Sequence, residues 1–127
     1  MKNKILIVED NDTNYMLLED ILSEYNLELT RAADGEEFYS IVQKYPPKFD
    51  LILMDLMLPD TNGIELTKYM INKKSRIPIV FISAYTERCE EVFDLGIEYF
   101  ISKPIVTELF ISILNKFIVL EACKLDV

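Results

Sequence analysis

Five short apolar runs, separated by stretches with helical spacing, constrain this chain more than any other feature of it. Lys4 to Val8, Leu51 to Met54 and Ile79 to Ile82 are too short for helices and almost wholly apolar, the pattern of parallel strands covered on both faces. Glu28 to Ala32 is more polar and alternates, as an edge strand does, and Tyr99 to Ile101 completes the set. Between them, Leu18, Ile21, Leu22 and Tyr25 recur at i, i+3, i+4 and i+7. Phe38, Ile41, Val42 and Tyr45 repeat that spacing before Pro46-Pro47, while Leu66, Tyr69 and Met70 give a third inner face. A fourth helix spans about Glu87 to Leu95, stopped by Gly96, and a last one runs from Ile105 with Leu109, Phe110, Ile113, Leu114 and Phe117 inward. Asn11 or Asp12 caps the first helix, and Pro59-Asp60-Thr61-Asn62-Gly63 is turn chemistry. Such alternation predicts an α/β fold, a parallel sheet with helices on both faces.

Four of the strand ends carry chemistry: Glu9-Asp10, Asp55, Ser83 and Lys103. In an open parallel sheet those ends line the crevice where ligands bind. Three carboxylates meeting there repel one another, and a divalent cation with a nearby ammonium is the usual relief. Lys103 supplies the ammonium. The chain has 0 histidines, which removes Ser-His-Asp and Cys-His catalysis and most transition-metal sites. The remaining hard oxygen ligands suit Mg²⁺.

At 127 residues the chain makes one domain, 1–127. Its formal charge of -9 disfavours direct contact with nucleic acid or anionic membrane. No apolar run approaches the roughly 20 residues of a membrane helix, so a cytoplasmic location is expected. Cys89 and Cys123 lack metal-ligand or redox spacing and read as reduced thiols.

Taken in order, Glu9-Asp10, Asp55 with Pro59 and Gly63, Ser83-Ala84 and Lys103-Pro104 resemble the receiver domain of a two-component response regulator along the whole chain. The resemblance implies a flavodoxin-like (βα)5 doubly wound sheet of order 2-1-3-4-5 and a regulatory phosphoacceptor rather than an enzyme. It makes Asp55 the acceptor of a phosphoryl group from a partner phosphohistidine, on a sensor histidine kinase or a histidine phosphotransfer protein. It makes Glu9, Asp10, Asp55 and the backbone carbonyl of Met57 the Mg²⁺ site, with Glu9 acting mainly through a metal-bound water, and Lys103, Ser83 and Phe100 the charge-neutralising and switching residues. A cis peptide is implied at Lys103-Pro104, and Met57 and Tyr85 are implied to tune phosphoryl lifetime. Glu9 stands where aspartate is commoner, and Phe100 where tyrosine is.

Two other classes share parts of this pattern. A haloacid-dehalogenase phosphatase also forms an aspartyl phosphate with Mg²⁺, but Asn14 stands where that family carries threonine or valine. A flavodoxin-like nucleotide or flavin module would place phosphate against Glu9-Asp10-Asn11-Asp12, which repels it. The last helix is apolar around much of its circumference through Ile111, Ile118, Val119 and Leu120. The face of the fourth helix, fifth strand and last helix is therefore expected to dimerise or dock a partner. The short stretch to Val127 leaves no output domain, which fits a stand-alone regulator or a receiver belonging to a larger one.

Overall fold

In the computed structural model of the protein, which describes residues 2–44 and 49–123, the apolar runs form five strands. They are β1 (Asn3–Val8), β2 (Leu27–Ala32), β3 (Leu51–Met54), β4 (Ile79–Ser83) and β5 (Phe100–Ser102). All pairings are parallel and the order is β2-β1-β3-β4-β5, a doubly wound sheet with polar β2 at one edge. The connecting helices are α1 (Asp12–Leu22), α2 (Gly35–Val42), α3 (Gly63–Asn72), α4 (Cys89–Asp94) and α5 (Thr107–Leu114).

Alternation along the strands divides the core in two. Leu6, Val8, Ile52, Met54 and Phe81 face Phe38, Leu66, Met70 and Val92 of α2, α3 and α4. Ile5, Ile7, Leu51, Leu53, Val80 and Ile82 face Leu18, Leu22, Phe110 and Leu114 of α1 and α5. Each such side chain removed from water contributes about 1.5–3 kcal/mol, which fixes the sheet as a platform. The first three helices start alike: Asn11, Asp34 and Asn62 accept the backbone N–H of Asn14, Glu37 and Glu65 at 2.9, 2.8 and 3.0 Å. Asp60 adds a second capping carboxylate to α2, accepting from Gly35 N–H at 2.8 Å and Glu36 N–H at 3.0 Å.

The last helix departs from expectation. It ends at Leu114, and Leu109 is 54% exposed rather than inward. Each residue turns a helix by about 100°, and Leu109 lies one such step outside the stripe set by Phe110, Ile113 and Leu114. Ile118, Val119 and Leu120 are not helical. The chain turns back so that Glu121 O accepts from Asn26 N–H at 2.8 Å, Cys123 N–H donates to Glu24 O at 2.9 Å, and Ala122 bridges Tyr25. Tyr25 thus lies beyond α1, not on its stripe. The expected fourth helix is a 3-10 turn, Thr86–Arg88, followed by a short α-helix, and Gly96 after it takes φ 92°. Tyr45, Pro46-Pro47 and Val127 lie outside the described residues.

Candidate functional site

The sheet's own hydrogen bonds carry one residue past several strand ends. Glu9 N–H donates to Ala32 O at 3.0 Å, Asp55 N–H to Val8 O at 3.0 Å, and Lys103 N–H to Ser83 O at 3.1 Å. Val8 is registered against Met54, so the residues that follow, Glu9 and Asp55, emerge as neighbours where strand order reverses. Lys103 enters from β5 across β4, and its peptide bond to Pro104 is cis.

Its ammonium donates to Glu9 Oε1 at 2.7 Å and to Asp55 Oδ2 at 3.1 Å. Glu9 and Asp55 are only 2% and 7% exposed, so these are charged hydrogen bonds in a poorly hydrated pocket. The other Glu9 oxygen accepts from Asn11 N–H at 3.2 Å. Asp10 sits exposed at the rim, with a carboxylate oxygen within 4.8 Å of one from Glu9 and one from Asp55. Burial raises the pKa of Glu9, the Lys103 hydrogen bond opposes that, and the Asp55 charge adds to it. For Lys103, burial favours the neutral form, but the Glu9 hydrogen bond and the charges of Asp55 and Glu9 outweigh it, so its pKa is also raised. The Asp55 charge raises both, although burial is the main cause for Glu9. The carboxylates of Glu9 and Asp55, with that of Asp10 close by, share the one Lys103 ammonium, so negative charge exceeds positive here. A divalent cation answers that excess, and a set made only of carboxylate oxygens fits Mg²⁺.

Of the other expected site residues, Ser83 is fully buried, its Oγ accepting from Tyr85 N–H at 3.1 Å. Phe100 lies in the core, half-buried and stacked on Phe81 with ring centroids 6.1 Å apart. Met57 and Tyr85 are exposed, Met57 bridging to Asn62 across the loop after Asp55. Beside Lys103 an apolar recess of about 350 Å³ opens between Leu17 and Leu18 of α1 and Ala84, Pro104 and Ile105.

Two residues matter here that strand and helix patterning did not single out. Arg31, near the end of β2, donates from Nε to Glu9 O at 3.1 Å and from Nη2 to Asp10 O at 3.2 Å. Its position on an edge strand beside an acidic loop was the available signal. Gly63 reads in sequence as turn chemistry and as part of the spacing after Asp55 that carries the resemblance, and the structure adds close packing: a Cβ there would lie 2.4 Å from the backbone oxygen of Asp55.

A family model for the response regulator receiver domain matches residues 5–115. The chain belongs to the response regulator receiver family. This receiver is 32% identical over 122 residues to the polar-differentiation response regulator DivK of Brucella ovis, covering 93% of this chain and 98% of that one. The non-phosphorylated HemR receiver domain from Leptospira biflexa superimposes with a TM-score of 0.81 at 29% identity, covering 98% of this receiver and 100% of that domain. Chemotaxis protein CheY4 of Vibrio cholerae gives a TM-score of 0.80 at 25% identity, covering 93% of this chain and 100% of that one. The receiver is thus a regulatory domain of a two-component system, and the phosphatase and flavin-module readings give way to it. Among the described residues, no helix is long and apolar enough to cross a membrane.

Proposed function

We propose that Asp55 is the phosphoacceptor of this receiver, taking its phosphoryl group from a phosphohistidine on a sensor histidine kinase or histidine phosphotransfer protein. One observation carries the reading: a single ammonium, Lys103, is hydrogen-bonded at once to the buried carboxylates of Glu9 and Asp55. An Asp55 oxygen attacks phosphorus, the phosphorus–nitrogen bond breaks, and the imidazole leaves with the bonding electrons. Attack brings a carboxylate toward an anionic phosphoryl group, and Lys103 offsets the charge that gathers between them. The proposed Mg²⁺ ligands are Glu9, Asp10, Asp55 and the backbone carbonyl of Met57. Bound there, the ion supplies Lewis-acid neutralisation of phosphoryl oxygens. The apolar recess beside Lys103 offers a partner's helix a place to bury its own side chains next to Asp55.

Once phosphorylated, Asp55 presents new acceptor oxygens. The Ser83 hydroxyl exchanges its bond with Tyr85 N–H for one to the phosphoryl group, and Phe100 repacks on Phe81. Met57 and Tyr85 flank the crevice and set how fast water reaches it. The output is the α4/β5/α5 face, where Phe93, Val106 and Leu109 are exposed, serving a partner or a second copy. The domain is read as 1–127, acting in the cytoplasm without touching nucleic acid or membrane.

Acetyl phosphate with Mg²⁺, followed by intact mass, tests the reading. Wild type gains one phosphoryl group, Asp55→Asn gains none, and EDTA abolishes the gain. An unchanged gain on Asp55→Asn would overturn the assignment.

A further inference from the structure

We propose that Arg31 is the positioning residue of the metal site, an inference that rests on reading Glu9, Asp10 and Asp55 as Mg²⁺ ligands. Its guanidinium holds three groups between the end of β1 and the start of α1: Glu9 O at 3.1 Å, Asp10 O at 3.2 Å, and Asp12 Oδ1 at 2.8 Å through Nη1. The plane is itself held, since its central carbon lies 4.8 Å from the ring centroid of Tyr15 on α1. The β2 backbone, registered Ile7 to Arg31 and Val8 to Ala32, fixes the root of the side chain beside the tip of β1.

A fork this rigid sets the orientation of two consecutive peptide groups, and with them the direction in which the Glu9 and Asp10 side chains leave the backbone. Mg²⁺ demands near-octahedral geometry and tolerates misplaced ligands badly. The Arg31 charge cannot be the benefit, because a cation beside the site repels a divalent ion. Geometry and charge therefore act with opposite sign, and the two can be separated by experiment.

Mg²⁺ titrated calorimetrically into wild type, Arg31→Lys and Arg31→Gln supplies the test, with Arg88→Lys as the control. Arg88 pairs with Glu91 on α4 rather than with Glu9, Asp10 or Asp12. Urea unfolding of each metal-free protein reports whether it remains folded. Positioning predicts that both Arg31 variants stay folded and bind Mg²⁺ roughly tenfold more weakly, the lower end for lost support of a metal ligand. Arg88→Lys should match wild type. Unchanged affinity in Arg31→Lys, or tighter binding by Arg31→Gln, would mean that Arg31 acts only as a charge and would overturn the proposal. So would unchanged affinity with a lowered urea midpoint, the mark of a purely structural clamp, or equal weakening by Arg88→Lys. Wild type failing to bind Mg²⁺ would instead strike the metal-site reading itself, and the inference would fall with it.

Discussion

Gly63→Ala is the sharpest test of how the fold supports Asp55. The added Cβ would lie 2.4 Å from Asp55 O, 2.8 Å from Met54 Cγ and 2.9 Å from Phe81 Cε2. Ordinary contact begins near 3.4 Å, so Asp55 O and the new methyl must part by about 1 Å, the difference 3.4 − 2.4. Forcing a methyl into such packing costs about 3 kcal/mol, and alanine recovers up to about 1 kcal/mol of helix propensity. The balance is a loss of about 2 kcal/mol, or roughly 8 °C in thermal midpoint for a chain this size. The same displacement moves the carboxylate that Lys103 holds at 3.1 Å, and an error of about 1 Å in a reacting group lowers rate on the order of 100-fold. Urea unfolding followed by circular dichroism and a mass time course with acetyl phosphate would measure the two effects together. Gly96→Ala is the comparison: φ is 92° and nothing lies within 4 Å, so backbone strain of about 1 kcal/mol is expected with phosphorylation unchanged. A Gly63→Ala protein within about 0.5 kcal/mol of wild type and phosphorylated at the wild-type rate would refute the reasoning.

Glu9→Gln should raise the urea midpoint of the metal-free protein at pH 7 while weakening Mg²⁺ binding. The folded pKa of Glu9 is raised above 4.5, so its contribution to stability is complete below that pH and is lost as pH climbs through the raised value. At pH 7 the ionised group is therefore a net cost. By the same proton competition, Mg²⁺ affinity in wild type should rise with pH above 4.5, by up to about tenfold per unit, as calorimetry at several pH values would show. A flat profile would argue against Glu9 as a ligand. Ile118→Ala should cost about 2–4 kcal/mol and Val119→Ala less than about 0.5, since Ile118 is 6% exposed and Val119 70%. Equal effects in thermal melts would contradict the turn after α5.

The central strands were legible because Leu51–Met54 and Ile79–Ser83 are covered on both faces, leaving an apolar run with no competing period. The polarity of Glu28 to Ala32 marked the sheet's edge, and residues ending strands marked the crevice. Leu109 misled because a helix apolar nearly all round contains no signal for which side is inward. The turn back at Ile118 depends on partners at 24–26, far away in sequence. Arg31 was legible as a residue type only, and Gly63 as turn chemistry and as one of the spaced residues behind the family resemblance. What they do follows from the register of β2 on β1 and from how closely α3 approaches Asp55, neither of which local patterning contains.

The double cap that Asp60 gives α2 has a mechanical consequence. It pins the loop following Asp55 to a neighbouring helix, through two N–H groups, on one lip of the crevice. The opposite lip, from Ala84 into the 3-10 turn, has no side-chain cap on either of its helical segments. Under the proposed phosphorylation of Asp55, the anchored lip should hold still while the uncapped one gives, so displacement is expected toward α4.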